Sequence, residues 1–138
     1  MSSNKTTSKH FLDHWGDNTP HLAIDYVADV YVNHQFPDAA GGTSSKTFEQ
    51  WKELVTSFHE AFSDVQLDVC LQVEEGNYVC SRWRMTAKHT GPFRGLEGTG
   101  NTASWTGVST DRFDGDKLVE TWVEWDKSTF LEGLGLAQ

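Results

Sequence analysis

Positive charge is scarce in this chain: 11 Lys and Arg stand against 20 Asp and Glu, a formal net charge of −9. Nucleic acid and anionic membrane select basic surfaces, so neither is expected as a partner. Long apolar runs are missing as well, and the longest are far too short to span a bilayer. The opening, MSSNKTTSKHF, is polar and has no apolar segment of the kind a signal peptide carries, which predicts a cytoplasmic protein. Cys70 and Cys80 form no CxxC or metal-spaced cluster and read as free thiols. The six histidines include neither HxH nor HExxH, so no metal site is expected. GLEGTG lacks GxGxxG spacing and no strand-to-helix context follows it, which argues against a phosphate cradle. There is no repeat, no low-complexity tract and no linker.

What is present is a globular composition. The 138 residues suffice for one domain with a real core and not for two. Hydrophobic residues make up 37% and aromatics 12%, with 6 Trp, which argues against disorder. Residues 1–10 are expected to be frayed. Phe11, Leu12 and Trp15 suggest a short first helix. Thr19-Pro20 looks like a cap followed by Pro at the first helical position, with Ala23, Tyr26, Val27, Val30 and Tyr31 as one apolar stripe and the helix giving way near Val30. YVNHQF reads as short and extended, and Asp38 to Ser45 as a Gly/Ser-rich loop. The clearest helix runs from about Phe48 to Phe62. Thr47 and Gln50 have capping-box spacing, and Phe48, Trp51, Leu54, Val55, Phe58 and Phe62 recur at helical intervals.

Beyond Ser63 the pattern changes to strands. Val65, Leu67, Val69, Leu71 and Val73 alternate strictly with polar residues. Tyr78 to Lys88, Ala103 to Phe113 and Lys117 to Asp126 follow, with DGD as a tight hairpin turn and a terminal helix over residues 128–134. Helices first and a four-strand antiparallel meander afterwards predict an α+β domain. A curved sheet folded over the long helix would leave an apolar cone of the kind that holds small molecules.

The last predicted strand sorts into two faces. Leu118, Glu120, Trp122, Glu124 and Asp126 share one. Val119, Thr121, Val123 and Trp125 share the other, which is uncharged and must be covered by this chain's core or by a second subunit. Ala103, Trp105 and Gly107 extend that uncharged face, and a homodimer through it is expected. Asp126 has two readings: it caps the helix that follows, which lowers its pKa, or it transfers protons at the mouth of a cavity, where burial raises it.

The segments VNH (32–34), EEGNYVCSRWRMTAKHTGPFRG (74–95), GTGNT (98–102) and RFDGDKLVETWVEWD (112–126) together resemble the SnoaL-like polyketide cyclase family, within the NTF2-like superfamily. The resemblance covers roughly Asp25 to Gly135. It departs slightly at Asp116, an extra residue that still fits the hairpin turn. It implies a single NTF2-like domain: a conical half-barrel with a mostly antiparallel sheet wrapped around a long helix. It also implies that Asp126 is the general acid/base of an intramolecular aldol ring closure, acting on a small hydrophobic substrate without metal or organic cofactor. The wider family also includes isomerases, dehydratases, epoxide hydrolases and many proteins with no known activity, so membership fixes the fold better than the substrate.

That chemistry asks for a partly desolvated base and for donors that meet an enolate. Trp122 and Trp83 are the candidate apolar wall; core packing is their alternative. His34, His89, Arg112 and Asn33 are the candidate donors. Against this, His34 reads equally as a surface histidine, His89 as a loop residue bonded to its backbone, and Arg112 as the partner of Asp111 or Asp114 at the rim. Glu120 reads as a second acid/base or as a partner for Arg112.

Overall fold

The computed structural model describes residues 3–37, 43–93 and 95–135. Helix α1 spans Asn4–Gly16 and is capped by Ser3, whose side chain accepts from the Thr6 N–H. The expected fraying is thus corrected from Asn4 onward. Ser8, Phe11, Leu12 and Trp15 form one buried stripe, and packing on that stripe holds the first turns. Pro20–Asp25 is a 3₁₀ helix, and strand β1 begins already at Val27 and runs to Pro37. The helical reading, expected to give way near Val30, therefore ends earlier, and the chain is a strand from Val27. Its Val residues are β-branched and stiff, and Val27, Tyr31 and Asn33 are buried where Asp29 and Val30 are exposed. Strand β2 covers Thr43–Lys46, so the expected loop gives way to strand at Thr43, and its part from Asp38 to Gly42 lies outside the described residues.

Helix α2, Phe48–Ala61, starts on the expected capping box: Gln50 N–H donates to Thr47 Oγ1 at 3.2 Å and Thr47 N–H to Gln50 Oε1 at 2.9 Å. Strands β3 (Phe62–Glu75), β4 (Tyr78–His89), β5 (Thr102–Asp114) and β6 (Lys117–Trp125) precede helix α3, Lys127–Gly133. The four-strand meander is thus part of a six-stranded sheet in the order β2-β1-β6-β5-β4-β3. β1 lies parallel to β6, with Asn33 opposite Thr121 and His34 opposite Trp122, and the other pairings are antiparallel.

Two of the sheet's register irregularities bear on which residues face the core. In β3, Val69 lies opposite Trp83 but Leu71 opposite Arg82, so Cys70 is an extra residue. In β6, Arg112 faces Glu120 while Phe113 faces Leu118, so Val119 is extra and Leu118 turns inward, away from the face of Glu120. One face of the sheet meets the helices and carries the core: Val79, Trp83 and Met85 on β4, Ala103, Trp105 and Phe113 on β5. This corrects the expected dimer face. Ala103, Trp105, Gly107 and Thr121 are buried under the chain's own helices, as Gly133 in α3 shows by lying so close to Ala103 that an added Cβ would stand 2.7 Å from the Ala103 Cβ. Gly107 has a packing reason: a Cβ there would stand 2.3 Å from Trp83 Cζ2, so only glycine lets the indole lie across the sheet.

Candidate functional site

The inward residues of β5 are apolar or small until Asp111. That carboxylate sits on the core face, 1% exposed. Thr121 lies opposite it on β6 and Asn33 opposite Thr121 on β1, so three polar side chains share one row across three strands. Tyr31 stands two residues from Asn33 on the same face and is also buried. Hydrogen bonds join them in one direction. Asn33 Nδ2 donates to Tyr31 Oη at 2.8 Å, Tyr31 Oη to Thr121 Oγ1 at 2.8 Å, and Thr121 Oγ1 to Asp111 Oδ1 at 2.7 Å.

The chain ends on one carboxylate oxygen and leaves the other, Oδ2, buried with no hydrogen-bond partner. Burial pushes the Asp111 carboxyl up to about 6, against the opposite pull of the Ser8 and Thr121 hydroxyls. Ser8, on α1, favours the carboxylate by proximity but makes no hydrogen bond of good geometry. Burial, with the Asp111 charge behind it, raises the Tyr26 and Tyr31 phenols far above their usual range, so both remain neutral donors. The Tyr26 hydroxyl is buried without a partner and feels the Asp111 charge. A proton carrier poised near neutral pH and an uncommitted donor therefore share one desolvated corner.

Leu54 and Phe58 on α2, Val123 and Trp125 on β6, and Leu131 on α3 pack against the core yet stay half-buried. Trp83 stands beyond them, its Nε1 donating to Ser109 Oγ at 3.0 Å. Trp125 and Trp83 both face Gly107, and Asp111 lies four residues further along β5, roughly 13 Å by the rise of a strand.

The residues singled out from sequence divide between the two faces. Asn33, Trp83 and His89 are buried on the inner one. His34, Arg112, Glu120 and Trp122 meet on the outer one, away from Asp111. There, His34 Nε2 bonds Glu120 Oε2 at 2.7 Å, and Arg112 donates to Glu120 Oε1 from Nε at 3.2 Å and Nη2 at 3.0 Å. The His34 hydrogen bond, with the Arg112 guanidinium behind it, holds Glu120 below the usual carboxylate range. Trp122 stacks on His34 at 5.4 Å and is 37% exposed on this outer face.

Asp126 is exposed at the start of α3. Its oxygens accept from the Thr129 N–H at 3.1 Å and the Thr129 hydroxyl at 2.7 Å, and these two bonds hold its pKa low. This is the geometry and the sign of a helix cap. Sequence reasoning passed over Asp111, Tyr31, Thr121 and Tyr26. The available signal was parity: residues 103, 105, 107, 109 and 113 form the apolar or small set of β5, and Asp111 is the one carboxylate that shares it.

The family model for SnoaL-like polyketide cyclases matches residues 5–134. Among solved structures, AclR from Streptomyces galilaeus, a proposed hydroxylase, is 26% identical with a TM-score of 0.81, covering 96% of this chain and 95% of its own. IdmH from Streptomyces antibioticus, a proposed polyketide cyclase, is 22% identical with a TM-score of 0.85, covering 98% and 100%. A proposed polyketide cyclase from Acidithiobacillus ferrooxidans is 23% identical with a TM-score of 0.80, covering 98% and 96%. No curated protein matches the chain.

Proposed function

Because the chain belongs to the SnoaL-like polyketide cyclase family, we propose that it is a cofactor-independent acid/base enzyme acting on a carbonyl-bearing, polycyclic small molecule, with Asp111 as the proton carrier. One observation carries this reading: a buried carboxylate whose Oδ1 is held by the Thr121 hydroxyl while its Oδ2 has no partner. The geometry favours Asp111 over Asp126, which faces solvent with both oxygens engaged by Thr129.

In a ring closure, Asp111 Oδ2 takes a proton from the carbon next to a carbonyl, and the C–H pair becomes an enolate. The Tyr26 hydroxyl donates to the enolate oxygen. The enolate carbon then bonds to a second carbonyl carbon of the same molecule, and the new alkoxide takes the proton back from Asp111. Thr121, Tyr31 and Asn33 hold Oδ1 in place, so that the proton enters and leaves on Oδ2.

A simple probe isolates the first step. 2-Tetralone is an aromatic ketone with exchangeable α-protons, and its exchange in D₂O is read directly by proton NMR. Asp111→Asn is expected to slow protein-catalysed exchange roughly 10²–10⁴-fold, the usual worth of a general base. Asp126→Asn is expected to keep the wild-type rate. Wild-type exchange in Asp111→Asn, or none above buffer in the native protein, would contradict this reading, and the latter would favour a binding protein.

The protein is further proposed to pair with a second copy through the outer face. Leu71, Val73, Tyr78, Val108 and Trp122 are exposed there at 59%, 57%, 42%, 42% and 37%. Arg82 on β4 and Glu124 on β6 flank Val108 within this patch, so a two-fold axis would set the arginine of one protomer against the carboxylate of its partner.

A further inference from the structure

His89 ends β4 on the inner face, at the opposite end of the β4–β5 ladder from Asp111. Asp111 pairs with Val79, ten residues before His89, a span of up to roughly 33 Å along the strand. One enolate cannot be served by both, and His89 does not belong to the Asp111 corner.

The imidazole is 0% exposed and its two nitrogens have different surroundings. Nδ1 faces the loop that follows β4. The Thr99 backbone N–H donates to it at 3.3 Å, and the Thr99 hydroxyl lies 3.1 Å from it. A backbone N–H can only donate, so Nδ1 is the acceptor and the ring proton sits on Nε2. The Thr99 hydroxyl accepts in turn from Asn101 N–H at 3.2 Å, which leaves its own hydrogen for Nδ1. The loop backbone fixes this arrangement, since His89 N–H donates to Asn101 O and Gly100 N–H to His89 O, both at 2.8 Å. Gly98 is required by the same fold-back: a Cβ there would stand 2.5 Å from the Thr90 carbonyl carbon.

Nε2 has no hydrogen-bond partner. It is a buried N–H, fixed by its tautomer, on the ring edge away from Thr99. Around the ring stand Phe62 at 5.3 Å and Phe93 at 6.1 Å, and Phe130 lies 5.7 Å from each of these. Phe93 and Phe58 are half-buried, so this aromatic wall reaches the surface. An orphaned donor in an apolar aromatic box costs free energy unless an acceptor arrives to meet it.

We propose that the His89 end of the interior is a binding site for a planar aromatic ligand, with His89 Nε2–H donating to one carbonyl oxygen of that ligand. The site stands apart from the Asp111 chemistry. It holds the ligand's ring and its carbonyl and sets no proton in motion.

The probes are 9-fluorenone, a neutral planar tricycle with one carbonyl, and fluorene, the same frame without it. In the wild-type protein labelled with ¹⁵N at histidine, Nε2 of His89 should carry the proton, and its Nε2–H signal should move on addition of fluorenone and not of fluorene. His89→Phe keeps the aromatic box and loses the donor. It should weaken fluorenone about 3–10-fold, the usual worth of one hydrogen bond, and leave fluorene within about twofold. 9-Fluorenone has no exchangeable α-proton, so its binding is read independently of the acid/base step, which separates failure here from failure of that reading. A proton on Nδ1, an Nε2–H that responds to neither probe, or equal loss of both probes in His89→Phe would overturn the proposal.

Discussion

At the scale of the residue, Asp111 and Asp126 show how little the identity of a side chain says about its role. Both are aspartates near β6. One is pushed up to about 6 by burial and the other is held low by Thr129. The sequence placed Asp126 at a helix start correctly and drew attention to it because it ends a Trp-rich strand. It did not reveal Asp111, because Arg112 and Asp114 beside it make the stretch look like a charged rim. The shift has a thermodynamic consequence. Between the ordinary value of 3.8 and about 6, folded Asp111 keeps a proton that the unfolded chain has released. Stability is therefore complete below pH 3.8 as far as this group is concerned, falls as pH rises through about 6, and is level above it. The loss is on the order of 3 kcal/mol. Urea midpoints measured from pH 4 to 8 should show this decline in the wild type and not in Asp111→Asn. An identical decline in both would assign it to another group. Asp126 has the opposite sign: its contribution is present above the ordinary value and fades as pH falls through the lowered one. Asp126→Ala should destabilise the protein at neutral pH, while Asn, an equally good cap, should not.

At the scale of the element, the regular pieces were legible where one periodicity ruled. Helix α2 carries its own capping box and an apolar stripe, and β4 and β5 alternate without a break, so their ends fall within a residue of expectation. The difficulties came where two signals conflicted. Thr19-Pro20 announced a helix, and its apolar spacing carried that reading to near Val30, although the run of Val and Tyr suits a strand better. The parallel partner that makes β1 a strand, β6, lies about ninety residues away, and no local pattern records it. The bulge at Val119 is equally silent: strict alternation puts Leu118 with Glu120, whereas one extra residue turns Leu118 into the core. Gly107 was legible only as a member of an uncharged face. Its packing against Trp83 predicts that Gly107→Ala forces the indole or the strand to move, at a cost of about 1–3 kcal/mol. Denaturant unfolding followed by tryptophan fluorescence would measure it, and an unchanged midpoint would mean that Trp83 yields freely.

At the scale of the molecule, the sequence pattern and the family resemblance led to the same α+β half-barrel, and the structure and the family match agree with it. The assignment of the faces was reversed. The uncharged face of β6 proved to be the interior, with Thr121 buried and Val123 and Trp125 packed against the core, and the Trp122 face became the outer one. Periodicity separates two faces but cannot say which of them the helices cover. The outer face keeps enough exposed apolar surface to predict association: sedimentation at micromolar concentration should give a dimer, and Trp122→Glu should shift it to monomer without unfolding it. A wild-type monomer would leave the Trp122 patch without the proposed partner. The chemistry of the interior is tested most directly by the pH dependence of 2-tetralone α-proton exchange. A base must be ionised to accept a proton, so the rate should rise with pH, bend near the Asp111 value of about 6 and then level off. Asp111→Asn should abolish the bend and Asp126→Asn should retain it. A bend that survives in Asp111→Asn would contradict the assignment of the proton carrier to the buried end of β5.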